Sequence, residues 1–203
     1  MQTNWNMNRI TLHGTAGDNP RSSHMNHGEE YFIFPLIAGR LSGVEDCLNV
    51  IVSQTLLKEC PVRAGSEVTV CGEVRSFNNK SGIGSRLVIT VFARELRREQ
   101  AEDENMLELS GTLCKAPVYR RTPLGRDICD MMLAVNRRYG RTDYLPCIAW
   151  GLLARKCGLM QVGDPLEVSG RLQSRTYTKR IGEVEQERTA YEVSVMTVTQ
   201  GRG

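Results

Sequence analysis

The chain has 203 residues, 24% charged and 6% aromatic, with a formal net charge of +3. That length suits one large domain or two of about 100 residues, each able to bury a workable core. The charge alone does not announce a polyanion partner, the seven cysteines form no CxxC pair and so argue against a disulfide framework or a thiolate zinc site, and no run approaches the ~18 apolar residues of a membrane span.

The opening MQTNWNMNR lacks the basic-then-apolar shape of a signal peptide, so a soluble, cytoplasmic protein is expected, its cysteines reduced and mostly buried. Trp5 in that segment is read as packing on the domain. Residues 9–14 alternate Ile10 and Leu12 with Arg9, Thr11 and His13, which predicts a first strand. Residues 18–30 read as a polar loop; His24 and His27 have no cysteine or third histidine nearby, so no metal site is expected. Further strands are predicted at 31–41, 48–53, 66–76 and 86–94, with a short helix at 54–60 and a hairpin marked by Gly82 and Gly84. The charged, unpatterned stretch that follows is read as a linker, dividing the chain into a first domain at 1–95, the linker at 96–104 and a second domain at 105–203.

The second half repeats the first. Asn8, Leu12, Gly14 and Thr15 recur as Asn105, Leu109, Gly111 and Thr112, and Leu36, Leu48 and Ile51 as Leu133, Leu145 and Ile148, all at a shift of 97. Gly65 and Gly72 recur as Gly163 and Gly170 at 98. A near-constant offset over so many positions indicates a tandem duplication. In the second copy, strands are predicted at 106–113, 128–136, 143–150, 165–173 and 190–198, with a helix at 152–159. Five strands with one short helix after the third is the order of an OB-fold, a pattern that by itself leaves other small barrels open; the expected class is all-β, two tandem OB-folds, each a five-stranded Greek-key barrel. Gly170 and Gly72 fall at inward positions of the fourth strands, where a missing side chain lets a bent strand cross the barrel.

The stretch LAVNRRYGRTDYLPCIAWG carries the chemistry. Its period of two puts Leu145, Cys147 and Ala149 on one face and Tyr144, Pro146, Ile148 and Trp150 on the other, after an arginine-dense turn. Cations interleaved with aromatics suit single-stranded nucleic acid: charge follows the phosphates while ring faces accept unstacked bases.

Residues 107–198 resemble the bacterial single-stranded DNA-binding proteins. The likeness rests on the LAVNR strand end (Leu133 to Arg137), the TDY start of the next strand (Thr142 to Tyr144), WGLLA (Trp150 to Ala154), VGD (Val162 to Asp164) and VSGRLQSRTY (Val168 to Tyr177). The resemblance implies sequence-nonspecific binding of single-stranded DNA in replication, recombination or repair, with bases stacked on Tyr139, Tyr144, Trp150 and Tyr177. It implies cations at Arg137, Arg138, Arg141, Arg171, Arg175, Lys179 and Arg180. In the first copy the positions matching Tyr139, Tyr144 and Trp150 are Ser42, Cys47 and Ser53, which leaves Phe77 with Arg75 and Lys80 as the comparable cluster. The copies are therefore expected to contribute unequally. Such proteins gather four OB domains, so two chains forming a homodimer would suffice. The family's acidic recruiting tail has no counterpart in the closing TVTQGRG.

Two other roles compete: an OB-fold accessory protein of the primosome or a mobile element, acting mainly through protein contacts, and RNA binding. No phosphate-cradling glycine loop before a lysine and no plausible serine or cysteine nucleophile beside a histidine is present, all three histidines lying in the first copy, so neither an enzyme nor a cofactor is expected.

Overall fold

The computed structural model describes residues 7–79, 86–137, 140–181 and 184–201. Trp5, Lys80, Gly82, Gly84, Arg138 and Tyr139 lie outside them, as does the side chain of Lys179. The first repeat forms β1 (Asn8–Ala16), β2 (Arg21–Asn26), β3 (Glu29–Gly39), β4 (Glu45–Ser53), α1 (Gln54–Glu59), β5 (Glu67–Asn78) and β6 (Leu87–Arg98). The second forms β7 (Glu104–Leu113), β8 (Val118–Arg121), β9 (Asp127–Asn136), β10 (Thr142–Trp150), α2 (Gly151–Cys157), β11 (Pro165–Ile181) and β12 (Val184–Gln200). All-β architecture with a short helix after the third major strand is what the alternation implied.

Two compact units result: Arg9–Met106 with Gln173–Ala190, and Met1–Asn8 with Leu107–Leu172 and Tyr191–Gly203. In the first, strands run in the order β2-β3-β4-β6-β5-β1, with β3 also pairing β1 to close the barrel. In the second, the order is β7-β11-β12-β10-β9-β8, with β7 also pairing β9. Each core is the inward set of a period-two pattern: Ile10, Leu12, Phe34, Leu36, Leu48, Val50, Val68, Val70 and Val91 in one, Leu107, Leu109, Leu133, Leu145, Leu166, Leu172 and Val193 in the other, all fully buried or nearly so. Equivalent strands thus bury equivalent positions.

The glycines set the closure. A Cβ on Gly170 would stand 2.1 Å from the carbonyl oxygen of Ser194, and one on Gly72 would stand 2.2 Å from that of Phe92. Both barrels depend on backbone crossing where no side chain fits.

The strands differ from the sequence expectation in three respects. The segment expected as a polar loop, 18–30, contains β2, and β8 is its counterpart in the second repeat. Strand β6 runs into the stretch read as linker because Leu96, nearly buried, pairs with Val70. The last two strands, expected as short segments, form a hairpin of two 17-residue strands whose outer part, 173–190, belongs to the compact unit of the first repeat. There the Ser174 amide donates to Asp46 Oδ1 at 2.7 Å, while the Cys47 amide donates to Ser174 Oγ at 2.9 Å.

The cysteines are all free thiols. Cys129, Cys147 and Cys157 are buried, and burial pushes Cys147 up to about 12 and Cys129 to about 11. The expectation that most are buried fails: Cys60, Cys71 and Cys114 are half-buried and Cys47 is exposed. Among the described residues, no helix is long and apolar enough to cross a membrane.

Candidate nucleic-acid interface

Strand β10 presents its even-numbered residues outward. Tyr144 is 49% and Trp150 43% exposed, with half-buried Pro146 and nearly buried Ile148 between them. Six residues of extended chain separate the rings by about 20 Å. Across the sheet Tyr144 faces Ala134, and Trp150 faces Ile128, which in turn faces Arg120 of β8. Both rings face small or aliphatic residues on β9 and are about half exposed.

Trp150 also occupies the cap position of α2, where it makes no side-chain cap hydrogen bond, and the chain enters the helix through Gly151 at φ +58°. The equivalent residue of the first repeat, Ser53, caps α1: its Oγ accepts from the Leu56 amide at 3.2 Å. One repeat holds a ring where the other holds a cap, and such a cap is worth about 1 kcal/mol.

The last turn of α2 is tied down by Asp127. Tyr119 Oη donates to one carboxylate oxygen at 2.8 Å and Arg155 Nε to the other at 2.6 Å, linking β8, β9 and α2. The Tyr119 hydroxyl first, and then Arg155, hold the Asp127 carboxyl below its usual value. A carboxylate with a depressed folded pKa contributes stability above its unfolded value and loses it as pH falls through the folded one. Thermal unfolding followed from neutral pH to below about 4 is expected to show a weaker acid-induced decline in Asp127→Asn than in wild type. Parallel declines would mean that the tie contributes nothing.

The remaining expected site residues divide. Arg137 pairs through two nitrogens with Asp143, whose side chain is fully buried. Arg40 and Asp46 make the same pair in the first repeat, with Nε to Oδ2 at 2.8 Å. Arg141 is exposed, and Arg171 is half-buried with a buried Nε that finds no hydrogen-bond acceptor among the described residues. Arg175, Tyr177 and Arg180 lie on the hairpin arm, grouped with the first repeat, and the Arg175 guanidinium sits 5.6 Å from the Tyr177 ring centroid. Phe77 is 49% exposed on β5, two residues from Arg75, which pairs with Glu73. The structure thus brings Arg175 together with Tyr177, and sets Tyr144 and Trp150 on one face of β10 and Arg75 and Phe77 on one face of β5.

Sequence reasoning missed one aromatic group. The rings of His24 and Tyr31 stack 5.0 Å apart at 8°, Tyr31 and Phe92 lie 5.5 Å apart at 39°, and the Arg94 guanidinium sits 4.9 Å from the Phe92 centroid. Phe77 with Arg75 is therefore not the sole ring cluster of the first repeat. Alternation in β6, with Val91 and Ala93 inward, carried the signal for Phe92 and Arg94.

Comparison with known proteins agrees with this geometry. The Single-strand binding protein family profile matches residues 104–200. Single-stranded DNA-binding protein B of Bacillus subtilis is 35% identical over 85 residues, covering 38% of this chain and 75% of that protein. The single-stranded DNA-binding protein of Clostridium tetani is 33% identical over 85 residues, covering 38% of this chain, which spans 59% of that relative's length. In fold, the wild-type single-stranded DNA binding protein from Thermus aquaticus superposes with a TM-score of 0.79 at 22% identity, over 97% of this chain and 94% of that one. With outward rings on a barrel sheet and this kinship through its second repeat, the chain belongs to the single-strand binding protein family.

Proposed function

We propose that the protein binds single-stranded DNA without reading its sequence, stacking bases on Tyr144 and Trp150 and neutralising phosphates with Arg141, Arg175 and Arg180. The observation that carries this reading is the pair of open rings on the outward face of β10. Its relatives' names point the same way. Tyr177 under Arg175 is a further stacking position in this proposal, as are Tyr139 with Arg138, Lys179, Arg171 and the Phe77, Arg75 and Lys80 group of the first repeat. The working form is a homodimer supplying four OB domains, divided in sequence at 96–104, acting in the bacterial cytoplasm in replication, recombination or repair.

A fluorescence titration tests the reading. Poly(dT) is expected to quench Trp150 emission in wild type and equally in Trp5→Phe, while duplex DNA of equal length does not. The affinity falls as salt rises, because each neutralised phosphate releases condensed counterions. Absence of quenching and of a salt slope would move the function to protein contacts.

A further inference from the structure

The first repeat lacks rings on β4, yet its outward face is not bare. Cross-strand register makes the two repeats comparable row by row. In the second, one row reads Trp150, Ile128, Arg120 across β10, β9 and β8. The matching row of the first reads Ser53, Tyr31, His24 across β4, β3 and β2. The aromatic has moved one strand over, and the aliphatic or small residue has taken its former place. One row on, Ile148 pairs with Ser194 in the second repeat, whereas Ile51 pairs with Phe92 in the first. A second ring has been gained where the other repeat has a serine.

We propose that the first repeat carries a base-stacking platform of its own for single-stranded DNA, built on β2, β3 and β6 from His24, Tyr31 and Phe92, with Arg94 and Arg75 as its cations. It rests on the function proposed above and extends it to a second site. The rings form a continuous series, His24 on Tyr31 and Tyr31 against Phe92, in a stripe that crosses the strands. Arg94 lies over the last ring and also reaches Glu73 at 3.2 Å. Glu73 is shared with Arg75, so both guanidiniums are held beside the ring series by one carboxylate. Rings flanked by guanidiniums at one sheet face match the bases and phosphates of an unpaired strand.

The same register explains why β4 does not supply the rings. Ser53 caps α1, and Cys47 donates its amide to Ser174 of the hairpin arm. Of the two, only Ser53 uses its side chain; the Cys47 bond is made by the main chain.

The test is binding of fluorescein-labelled dT oligomers of increasing length, by anisotropy, to wild type, Trp150→Ala and Tyr31→Leu/Phe92→Leu. Leucine keeps apolar cover over the barrel, and melting curves verify folding. The double variant is expected to bind long oligomers about ten-fold more weakly, to reach its affinity plateau at a shorter length, and to bind the shortest oligomers as wild type does. In parallel, ultraviolet cross-linking of 5-iodouracil-substituted oligomers to wild type is expected to leave adducts on the peptides carrying His24, Tyr31 or Phe92. Unchanged affinity at every length, or adducts confined to 107–172, overturns the second platform while a weakened Trp150→Ala leaves the first standing. Failure of wild type to bind any oligomer overturns both.

Discussion

A Trp150→Ser, Tyr144→Ala double variant is expected to lose about 2 to 6 kcal/mol of affinity for poly(dT), ~1 to 3 for each stacking ring removed. The two losses should add, because the rings are about 20 Å apart along β10. Serine is chosen at 150 for a second reason. Ser53 shows that a hydroxyl at the equivalent point of the first repeat accepts a hydrogen bond from the helix, and a cap worth about 1 kcal/mol offsets part of what the loss of the half-buried ring costs. A large loss in a titration beside a small shift in a melt would separate a ring kept for a ligand from one kept for the fold. A variant that binds normally, or that melts far earlier, would place Trp150 in the structure instead. The reverse change, Ser53→Trp, forfeits the cap of α1 and is expected to cost about 1 kcal/mol.

The second large effect is on stability. Arg137→Ala leaves the fully buried Asp143 carboxylate without its two-point partner, which costs about 3 to 5 kcal/mol in denaturant melts. Arg137→Lys keeps the charge and loses the planar fork, so an intermediate loss is expected. Arg40→Ala should behave alike in the first repeat, where Asp46 is 1% exposed. If Arg137→Ala melted as wild type and instead reduced the salt slope of DNA binding by about one, Arg137 would be a phosphate ligand and not a brace.

Much of this was readable in the chain. Alternation located the inward leucines and put Tyr144 and Trp150 on a common outer face, and the repeat offset located the crossing glycines. Strands β2 and β8 were not readable, because RSSHMN and VYRR are exposed throughout and show no apolar period. The outer part of the β11–β12 hairpin was hidden because QSRTYTKR and VEQERTA carry no apolar period. The brace at Asp143 was legible in principle: it shares the inward parity of Leu145 and Cys147, and a carboxylate there requires a partner. Its partner was less so, since Arg137 lies beyond the end of β9 and meets Asp143 across the turn. The Tyr31 and Phe92 rings escaped because comparison by fixed offset looks along β4, while the substitution moved across strands, which sequence spacing does not register.

The hydrogen bonds that Ser174 donates to Asp46 and accepts from Cys47 join residues 128 and 127 positions apart in the chain. The unit that holds the first repeat is therefore discontinuous in time as well as in sequence. A ribosome adding ~5 to 20 residues per second finishes residue 106 on the order of 10 s before residue 190. During that interval the Arg40–Asp46 end of the early barrel waits for a segment not yet made. Late-arriving, long-range contacts of this kind slow closure and prolong exposure of strand edges. The nascent first repeat is then most vulnerable to proteases and to pairing with other chains before its own arm exists.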